Sequence, residues 1–195
     1  MSSTMPRRPE FFSDLPADVT ARLVARATPM KLSADQTLFL AGDPGDGCYM
    51  IDEGILKVEM ASDSGINRIL AILRPGTVVG ELSLIDSRPR SATVTALKAS
   101  RLRFISRAAF DELVAGDIAS MRMVATLLAG RLRDTNLALA SSNFMPVKGR
   151  VAVALVALAE GFGQPVGPGR TLIKVRLSQS DIAAMAGVSR ETASR

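Results

Sequence analysis

Eight positions between residues 118 and 142 recur at alternating spacings of three and four residues. They are Ile118, Met121, Ala125, Leu128, Leu132, Thr135, Leu139 and Ser142. This heptad pattern predicts one long helix, from Asp111 to about Asn143, because only a helix keeps such positions on one face. The alternative is a helix that packs this stripe against its own domain. A 3.5-residue period over more than three heptads favours a homodimer formed through residues 111–143.

Two polar residues lie on or beside this predicted seam. Thr135 occupies a d position, and Asn136 follows at e. Polar groups at such positions cost stability, so they indicate either a fixed register between the two helices or contact with a ligand.

Short strand-like runs fill the chain from Lys31 to about Ser106. They are TLFLAG, CYMIDEG, ILKVEM, RILAIL and ATVTAL. Turn residues separate them, with Gly54, Gly65 and Gly76 at eleven-residue intervals and a GDPGDG loop at residues 42–47. The pattern predicts an antiparallel sandwich or barrel. A short amphipathic helix is predicted ahead of it, around Pro16–Ala27.

Pro146 interrupts the helical pattern and indicates a domain boundary. Beyond it we predict a helix over Gly149–Glu160, an irregular loop over Gly161–Arg170 and a strand over Thr171–Leu177. From residue 146 to the end, 7 Lys and Arg face 3 Asp and Glu, a net charge of +4 out of +5 for the whole chain. This excess is typical of a polyanion-binding unit.

The last segment, LSQSDIAAMAGVSRETASR, has the pattern of two helices joined by a tight turn. Ser178 and Asp181 form a potential capping box that starts a helix at about Gln179. Gly187 ends this helix, and Ser189 caps a second helix that begins at Arg190. A generic αα-hairpin is the alternative, but the order of small residue, glycine and serine favours a helix-turn-helix.

The composition excludes several kinds of chemistry. The chain has no histidine and one cysteine, Cys48, so Ser-His-Asp and Cys-His catalysis, His-ligated haem, iron–sulfur clusters and His/Cys zinc sites are excluded. No catalytic or metal site is predicted. No apolar run reaches the ~18 residues of a membrane span, and no signal peptide is recognisable, so we expect a cytoplasmic protein.

The stretch GELSLIDSRPRSATV, residues 80–94, contains an arginine that needs a negative partner. Arg90 adjoins a half-buried strand, so it must pair with Asp86 or a distant carboxylate, or bind an anion. Gly80 allows close approach of a ligand, and Glu81–Leu84 can form one helical turn. A planar guanidinium suits phosphate, and Ser91 adds a hydroxyl. Glu81 would repel phosphate, so it suits the hydroxyls of a ribose.

Gly80-Glu81-Leu82 and Arg90-Ser91-Ala92 resemble the phosphate-binding cassette of cyclic-nucleotide-binding domains. Nearly the whole chain resembles the cyclic-AMP receptor protein branch of the CRP/FNR transcription regulators. The resemblance implies an α+β fold: an antiparallel, jelly-roll-like β-barrel that binds the nucleotide (residues 1–110), a dimerisation helix and hinge (111–145), and a winged helix-turn-helix domain (146–195). The sequence stops at Arg195, about two turns into the recognition helix, so we expect the last domain to be incomplete.

The resemblance also implies roles for single residues at the nucleotide. Glu81 would accept the ribose 2′-hydroxyl, and Arg90 and Ser91 would bind the cyclic phosphate. The adjoining residues that complete the predicted site are Gly80, Leu82 and Ser83. Thr135 and Asn136 match the long-helix positions that meet the purine, one from each subunit. Cyclic AMP is the expected effector, with cyclic GMP or another anionic effector as the alternative, because Ser91 could also reach a guanine amino group.

For DNA, the resemblance implies palindromic sites with TGTGA-like half-sites. The predicted DNA-binding residues are Ser178, Gln179, Ser189, Arg190, Glu191 and Arg195. Arginine pairs with guanine and glutamate with cytosine in the major groove. RNA polymerase is an expected partner. The alternative from another class is a nucleotide-binding regulatory subunit whose terminal helices dock on a protein.

Overall fold

The computed structural model describes residues 21, 24–62, 67–115 and 118–193. Its first part is a six-stranded antiparallel sheet, in the order β1-β6-β3-β4, with β2 also paired to β6 and β5 to β3. The strands are β1 (Thr28–Leu32), β2 (Thr37–Phe39), β3 (Gly47–Ala61), β4 (Asn67–Leu73), β5 (Val78–Val79) and β6 (Thr93–Ser106). The predicted antiparallel β domain is confirmed. Most of the predicted helix around Pro16–Ala27 lies outside the described residues.

The long strand β3 differs from the prediction, which separated CYMIDEG from ILKVEM at Gly54. The chain runs through Gly54 without turning, although the pairing of β3 with β6 shifts register there. Gly54 has φ +111°, and a Cβ at this position would lie 2.6 Å from the Cα of Ser100. Glycine therefore permits a bulge with close backbone approach inside one strand, where the sequence pattern indicated a turn.

Two clusters of aliphatic side chains form the core of this domain. One fills the interior of the sheet and comprises Leu32, Ile51, Leu56, Leu73, Val79, Val94, Ala96 and Leu102. The other joins the sheet to the helices that follow and comprises Cys48, Val78, Leu84, Ile105, Ala109, Phe110, Val124 and Leu127. The second cluster fixes the helices beside the loop that carries the predicted nucleotide site.

The helical region after β6 contains two helices where the sequence predicted one. Helix α2 spans Arg107–Val114 and helix α3 spans Ile118–Phe144; a short helix, α1 (Leu82–Asp86), precedes both. Ala115 leaves the helical conformation, with ψ 106°, and its N–H bonds to the Asp111 carbonyl. The helix start predicted at Asp111 is therefore wrong, because Asp111 lies within α2. In the sequence Ala115 is followed by glycine, which has a low helix propensity.

Helix α3 presents two different faces. Val124 and Leu127 are buried against the β domain, with Leu128 packed beside them. Leu132 and Leu139 of the heptad stripe are exposed over 62% and 59% of their surface. Most of the predicted stripe thus does not pack on its own β domain, contrary to the alternative considered from the sequence.

The C-terminal unit begins at α4 (Val147–Phe162), whose N-cap is Pro146. An antiparallel hairpin of β7 (Gly163–Gly167) and β8 (Arg170–Ile173) follows. The prediction of an irregular loop over Gly161–Arg170 is therefore wrong for the residues that form β7. The strand predicted over Thr171–Leu177 ends at Ile173. Helices α5 (Gln179–Ala186) and α6 (Arg190–Ala193) follow the hairpin. Among the described residues, no helix is long and apolar enough to cross a membrane.

Candidate functional site

The cassette predicted at residues 80–83 begins directly after β5 and continues into the first two residues of α1. Gly80 has φ +86°, and a Cβ there would lie 2.5 Å from Nη1 of Arg90. Any side chain at residue 80 would therefore both strain the backbone and displace the guanidinium. The structure brings the two halves of the predicted motif together through this contact.

The Arg90 guanidinium is buried and lies among backbone oxygens and aromatic rings. Its Nη1 donates to the carbonyls of Gly47 (2.8 Å) and Gly80 (2.7 Å). Its Cζ lies 4.4 Å from the ring centroid of Phe39, a cation–π distance. Its Nε is buried and has no hydrogen-bond partner among the described residues. Arg90 is thus fixed in orientation and retains an unused donor.

The acidic partner of Arg90 is Asp46, a distant carboxylate of the kind that the sequence left open. Arg90 Nη2 lies 3.3 Å from Asp46 Oδ1, and 77% of the Asp46 side chain is exposed. Asp86 instead accepts a hydrogen bond from the backbone N–H of Arg88. Because Asp46 is solvated and its contact is long, an anionic ligand can replace it at little cost.

Glu81 is almost completely buried and has an unusual environment for a carboxylate. It is 1% exposed, and neither oxygen has a hydrogen-bond partner within the part of the chain that the structure describes. Arg131 Nη1 lies 2.6 Å from its Oε1, so the contact is an ion pair without good hydrogen-bond alignment. Burial raises the pKa of Glu81 above its ordinary value, and the opposing charge of Arg131 offsets this only in part. A buried carboxylate that has an ion-pair partner but no hydrogen-bond donor among the described residues can accept a hydrogen bond from a hydroxyl of a ligand.

Arg131 is the main site residue that the sequence analysis missed. It reaches from α3 to the cassette, where its Nη2 also donates to the Val78 carbonyl at 2.6 Å. The helix has further exposed basic residues, and nothing in the local pattern distinguishes Arg131 from them. Its contacts connect the predicted ribose site directly to the long helix.

Arg107, at the start of α2, is a second residue that the sequence did not indicate. Its guanidinium donates to the carbonyls of Ser83 (2.8 Å), Leu84 (3.1 Å) and Gly45 (3.2 Å). It therefore joins α1 to the GDPGDG loop. Ser83 is buried against Gly45, where a Cβ would lie 2.1 Å from the serine Cβ. Arg107 acts as a positioning residue for the cassette.

The remaining predicted nucleotide residues differ in accessibility. Leu82 is half-buried at the first position of α1, and Ser91 is exposed beside Arg90. Thr135 and Asn136 are exposed on α3. The Thr135 hydroxyl donates to the carbonyl of Arg131 at 2.9 Å, which places it one helical turn beyond the residue that contacts Glu81.

The helix-turn-helix prediction agrees with the local geometry. Ser178 and Asp181 form the predicted capping box of α5, and Gly187 ends this helix with φ +63°. Ser189 Oγ accepts from the N–H of Thr192 and so caps α6. The predicted DNA-binding residues Ser178, Gln179, Ser189, Arg190 and Glu191 are exposed, and Arg195 lies outside the described residues.

Cys48 is buried in the core cluster that also contains Val78 and Leu84, which flank the predicted cassette. Burial, followed by the nearby charge of Glu81, raises the pKa of its thiol to about 12. Within the described ranges, no group of three or more His, Cys, Asp or Glu residues is placed to hold a metal ion.

Comparison with family models gives two matches along the chain. Residues 29–117 match the cyclic nucleotide-binding domain, and residues 149–195 match the Crp-like helix-turn-helix domain. Together these matches cover both the cassette and the capped helix pair described above.

Individual relatives extend the similarity over nearly the full length. The CRP-like cAMP-activated global transcriptional regulator of Mycobacterium tuberculosis is 33% identical, over 96% of this chain and 84% of that protein. The structure of the Thermus thermophilus catabolite activator protein is 30% identical, with a TM-score of 0.62, over 95% of this chain and 83% of that one. The c-di-GMP-responsive regulator CLP of Xanthomonas campestris shares the fold, with a TM-score of 0.76 and 22% identity over 92% of this chain and 88% of that one.

Proposed function

Because the chain belongs to the CRP/FNR family of transcription regulators, which are not enzymes, we propose that it is a homodimer whose effector is cyclic AMP. In this proposal the liganded dimer binds palindromic DNA through its helix-turn-helix units. The observation that carries the proposal is that two buried charged residues, Arg90 and Glu81, flank the short helix α1 within one cassette. Among the described residues, Nε of Arg90 and the carboxylate of Glu81 have no hydrogen-bond partner.

Arg90 is the proposed phosphate ligand. Its guanidinium is already oriented by two carbonyls, and its acidic partner Asp46 is exposed. A cyclic phosphate would take the place of Asp46 and gain charge-assisted hydrogen bonds in a buried setting. Ser91, beside it in the chain, is the proposed additional donor.

Glu81 is the proposed ribose ligand, and Arg131 connects it to α3. Hydrogen bonding from a 2′-hydroxyl would satisfy a carboxylate oxygen that has no hydrogen-bond partner in the described ranges of the chain. Because Arg131 contacts both Glu81 and the Val78 carbonyl, any rearrangement at the ribose site is transmitted to the long helix. The purine would then meet Thr135 of one subunit and Asn136 of the other.

The exposed heptad stripe of α3 supports the proposed dimer. Ile118, Met121, Leu132 and Leu139 are each more than half exposed on the single chain. Pairing two such helices would bury this apolar surface. Ligand contacts that need both helices would favour one arrangement of the pair and, through the segment around Pro146, one orientation of the helix-turn-helix units.

Arg190 and Glu191 are the proposed base-reading residues, at the start of α6. Two such helices about one DNA turn apart, ~34 Å, would read the half-sites of a palindrome. DNA as the partner also implies a location in the cytoplasm. RNA polymerase is a further proposed partner from the family resemblance, without an assigned surface.

Cyclic GMP or another anionic nucleotide is the second candidate effector. The exposed hydroxyl of Ser91 and the amide of Asn136 can each donate and accept hydrogen bonds, so they do not distinguish adenine from guanine. The alternative of a protein-docking C-terminal unit is disfavoured by the match to the Crp-like helix-turn-helix model.

Calorimetric titration with cyclic AMP tests the role of Arg90. The wild-type chain is compared with Arg90→Leu and with the control Arg88→Leu, which removes an exposed arginine two residues away. We expect Arg90→Leu to weaken binding at least roughly 100-fold, as for loss of one partner of a buried charge pair, and Arg88→Leu to bind normally. Equal affinity of wild type and Arg90→Leu would refute the proposed phosphate site. Thermal unfolding shows whether each variant is folded.

A further inference from the structure

The β3–β4 hairpin contacts both ends of helix α5, the first helix of the helix-turn-helix. At the N-terminal end, Lys57 Nζ lies 3.4 Å from Asp181 Oδ1 and 3.1 Å from Glu59 Oε2. All three side chains are at most 20% exposed, so this is a semi-buried cluster and not a surface pair. Asp181 also belongs to the capping box of α5. The contact therefore joins the β domain to the residue that starts this helix.

At the C-terminal end of α5, the contact comes from Arg68 on β4. Its guanidinium lies so close to Gly187 that a Cβ at residue 187 would be 2.8 Å from Nη1. Gly187 is the residue that ends α5, with φ +63°. A cation at this end of a helix is favoured by the backbone carbonyls that point outwards there.

The spacing of the two cations fits the length of the helix. Arg68 pairs with Met60, three residues beyond Lys57 on β3, which corresponds to ~10 Å along a strand. Asp181 and Gly187 are six residues apart, ~9 Å along a helix. Lys57 and Arg68 thus lie at matching positions along the hairpin and contact opposite ends of α5.

We propose that these contacts, between Lys57 and Asp181 and between Arg68 and Gly187, form a docking joint that fixes the helix-turn-helix unit on the β domain. The joint is a second mechanical connection between the two units, in addition to the covalent path through α3 and Pro146. Since α6 follows α5 after a tight turn, the joint also fixes the direction of the recognition helix. Any reorientation of that helix relative to the β domain requires the joint to open.

The joint does not depend on which effector the β domain binds, because it consists only of contacts between the β3–β4 hairpin and the helix-turn-helix unit. β4 is also close in sequence to the nucleotide cassette, because the chain passes from Leu73 through one turn to β5 and Gly80. The same hairpin therefore leads into the effector loop and contacts α5 at both of its ends. This arrangement makes the joint a route by which the β domain acts on the DNA-binding unit.

Hydrogen exchange followed by mass spectrometry tests the joint from both sides. Lys57→Met is expected to raise exchange roughly two- to fivefold in α5 and in β4 alike, in line with the loss of a semi-buried ion pair. Lys98→Met is the matched control, since Lys98 is an exposed lysine of the neighbouring strand β6. It is expected to change exchange in neither element. Unchanged exchange of α5 in Lys57→Met would overturn the proposal.

A reciprocal comparison separates the joint from helix capping. Asp181→Asn removes both the cap and the partner of Lys57, so exchange should rise in α5 and in β4. Ser178→Ala removes the hydroxyl that caps α5 but keeps the Asp181 carboxylate that pairs with Lys57, so exchange should rise in α5 and remain unchanged in β4. If both variants leave β4 unchanged, Asp181 has no role beyond capping and the joint is refuted. Neither outcome bears on nucleotide binding by Arg90.

Discussion

Replacing Glu81 by glutamine is expected to weaken the binding of cyclic AMP without lowering the free energy of unfolding. Glu81 is 1% exposed, and neither carboxylate oxygen has a hydrogen-bond partner among the residues that the structure describes, so its charge is held in the folded state at a cost. Glutamine has the same shape and no charge. We expect the free energy of unfolding at neutral pH to be unchanged or raised by up to about 2 kcal/mol, because the loss of the Arg131 ion pair offsets part of the gain.

The same substitution should show a characteristic pH dependence. The folded-state pKa of Glu81 is raised above 4.5 because burial disfavours its charged form. The protonated carboxyl therefore favours the folded state below pH 4.5, and this contribution is lost as the pH rises through the folded-state pKa. The stability advantage of Glu81→Gln should be absent below pH 4.5 and increase above it.

Nucleotide binding should change in the opposite direction. Loss of a charged acceptor for the ribose hydroxyl costs about 1.5–3 kcal/mol, which corresponds to a roughly tenfold to 100-fold weaker affinity for cyclic AMP. Urea unfolding at several pH values and calorimetric titration measure the two effects, with Glu160→Gln as an exposed control. A Glu81→Gln protein that is less stable at neutral pH but binds cyclic AMP normally would show that Glu81 has only a structural role.

Further predictions concern the dimer, the core and the cap of α5. Leu132→Glu should convert the dimer to monomer in sedimentation equilibrium. The control is Leu137→Glu, which changes a leucine of the same helix that is 48% exposed but off the heptad stripe, and this variant should remain dimeric. A dimeric Leu132→Glu would refute the proposed helix pairing. Cys48, with a thiol pKa of about 12, should resist iodoacetamide at pH 8 in the native chain and react after denaturation; rapid native alkylation would contradict its burial. For Asp181, burial opposes ionisation, but hydrogen bonds from Ser178 and the charge of Lys57 outweigh it and lower the pKa below 3.8. The stability lost in Asp181→Asn should therefore be largest near neutral pH and disappear as the pH falls below 3.8, as measured by chemical unfolding; a pH-independent loss would exclude a role for the charge.

Periodic and capping signals predicted much of the fold. The heptad stripe located α3 and its end near Pro146, because both depend on local spacing and on proline chemistry. The capping box predicted the start of α5 at Gln179, which the structure has. Glycine was the weaker guide, since Gly54 forms a bulge within β3 and Gly167 and Gly169 belong to a β-hairpin. The same residue type serves turns, bulges and loops, so its role depends on the pairing strands.

The cassette motif was recognisable, but the partners of its charged residues were not. Asp46 and Arg90 are 44 residues apart in sequence, and Arg131 reaches Glu81 from helix α3. Such contacts depend on how β3, β5 and α3 meet in the folded chain, and no local pattern encodes them. The contact of Lys57 with Asp181, 124 residues apart, was unpredictable for the same reason.

Calorimetric titration of the wild-type chain with cyclic AMP and, separately, cyclic GMP is the most direct test of the central claim. We expect each chain to bind one cyclic AMP with micromolar or tighter affinity and to bind cyclic GMP more weakly. Tighter binding of cyclic GMP would assign the site to the second candidate effector. If neither nucleotide binds, the proposed effector site is refuted, and Arg90 has only its internal partners, Asp46 and the carbonyls of Gly47 and Gly80.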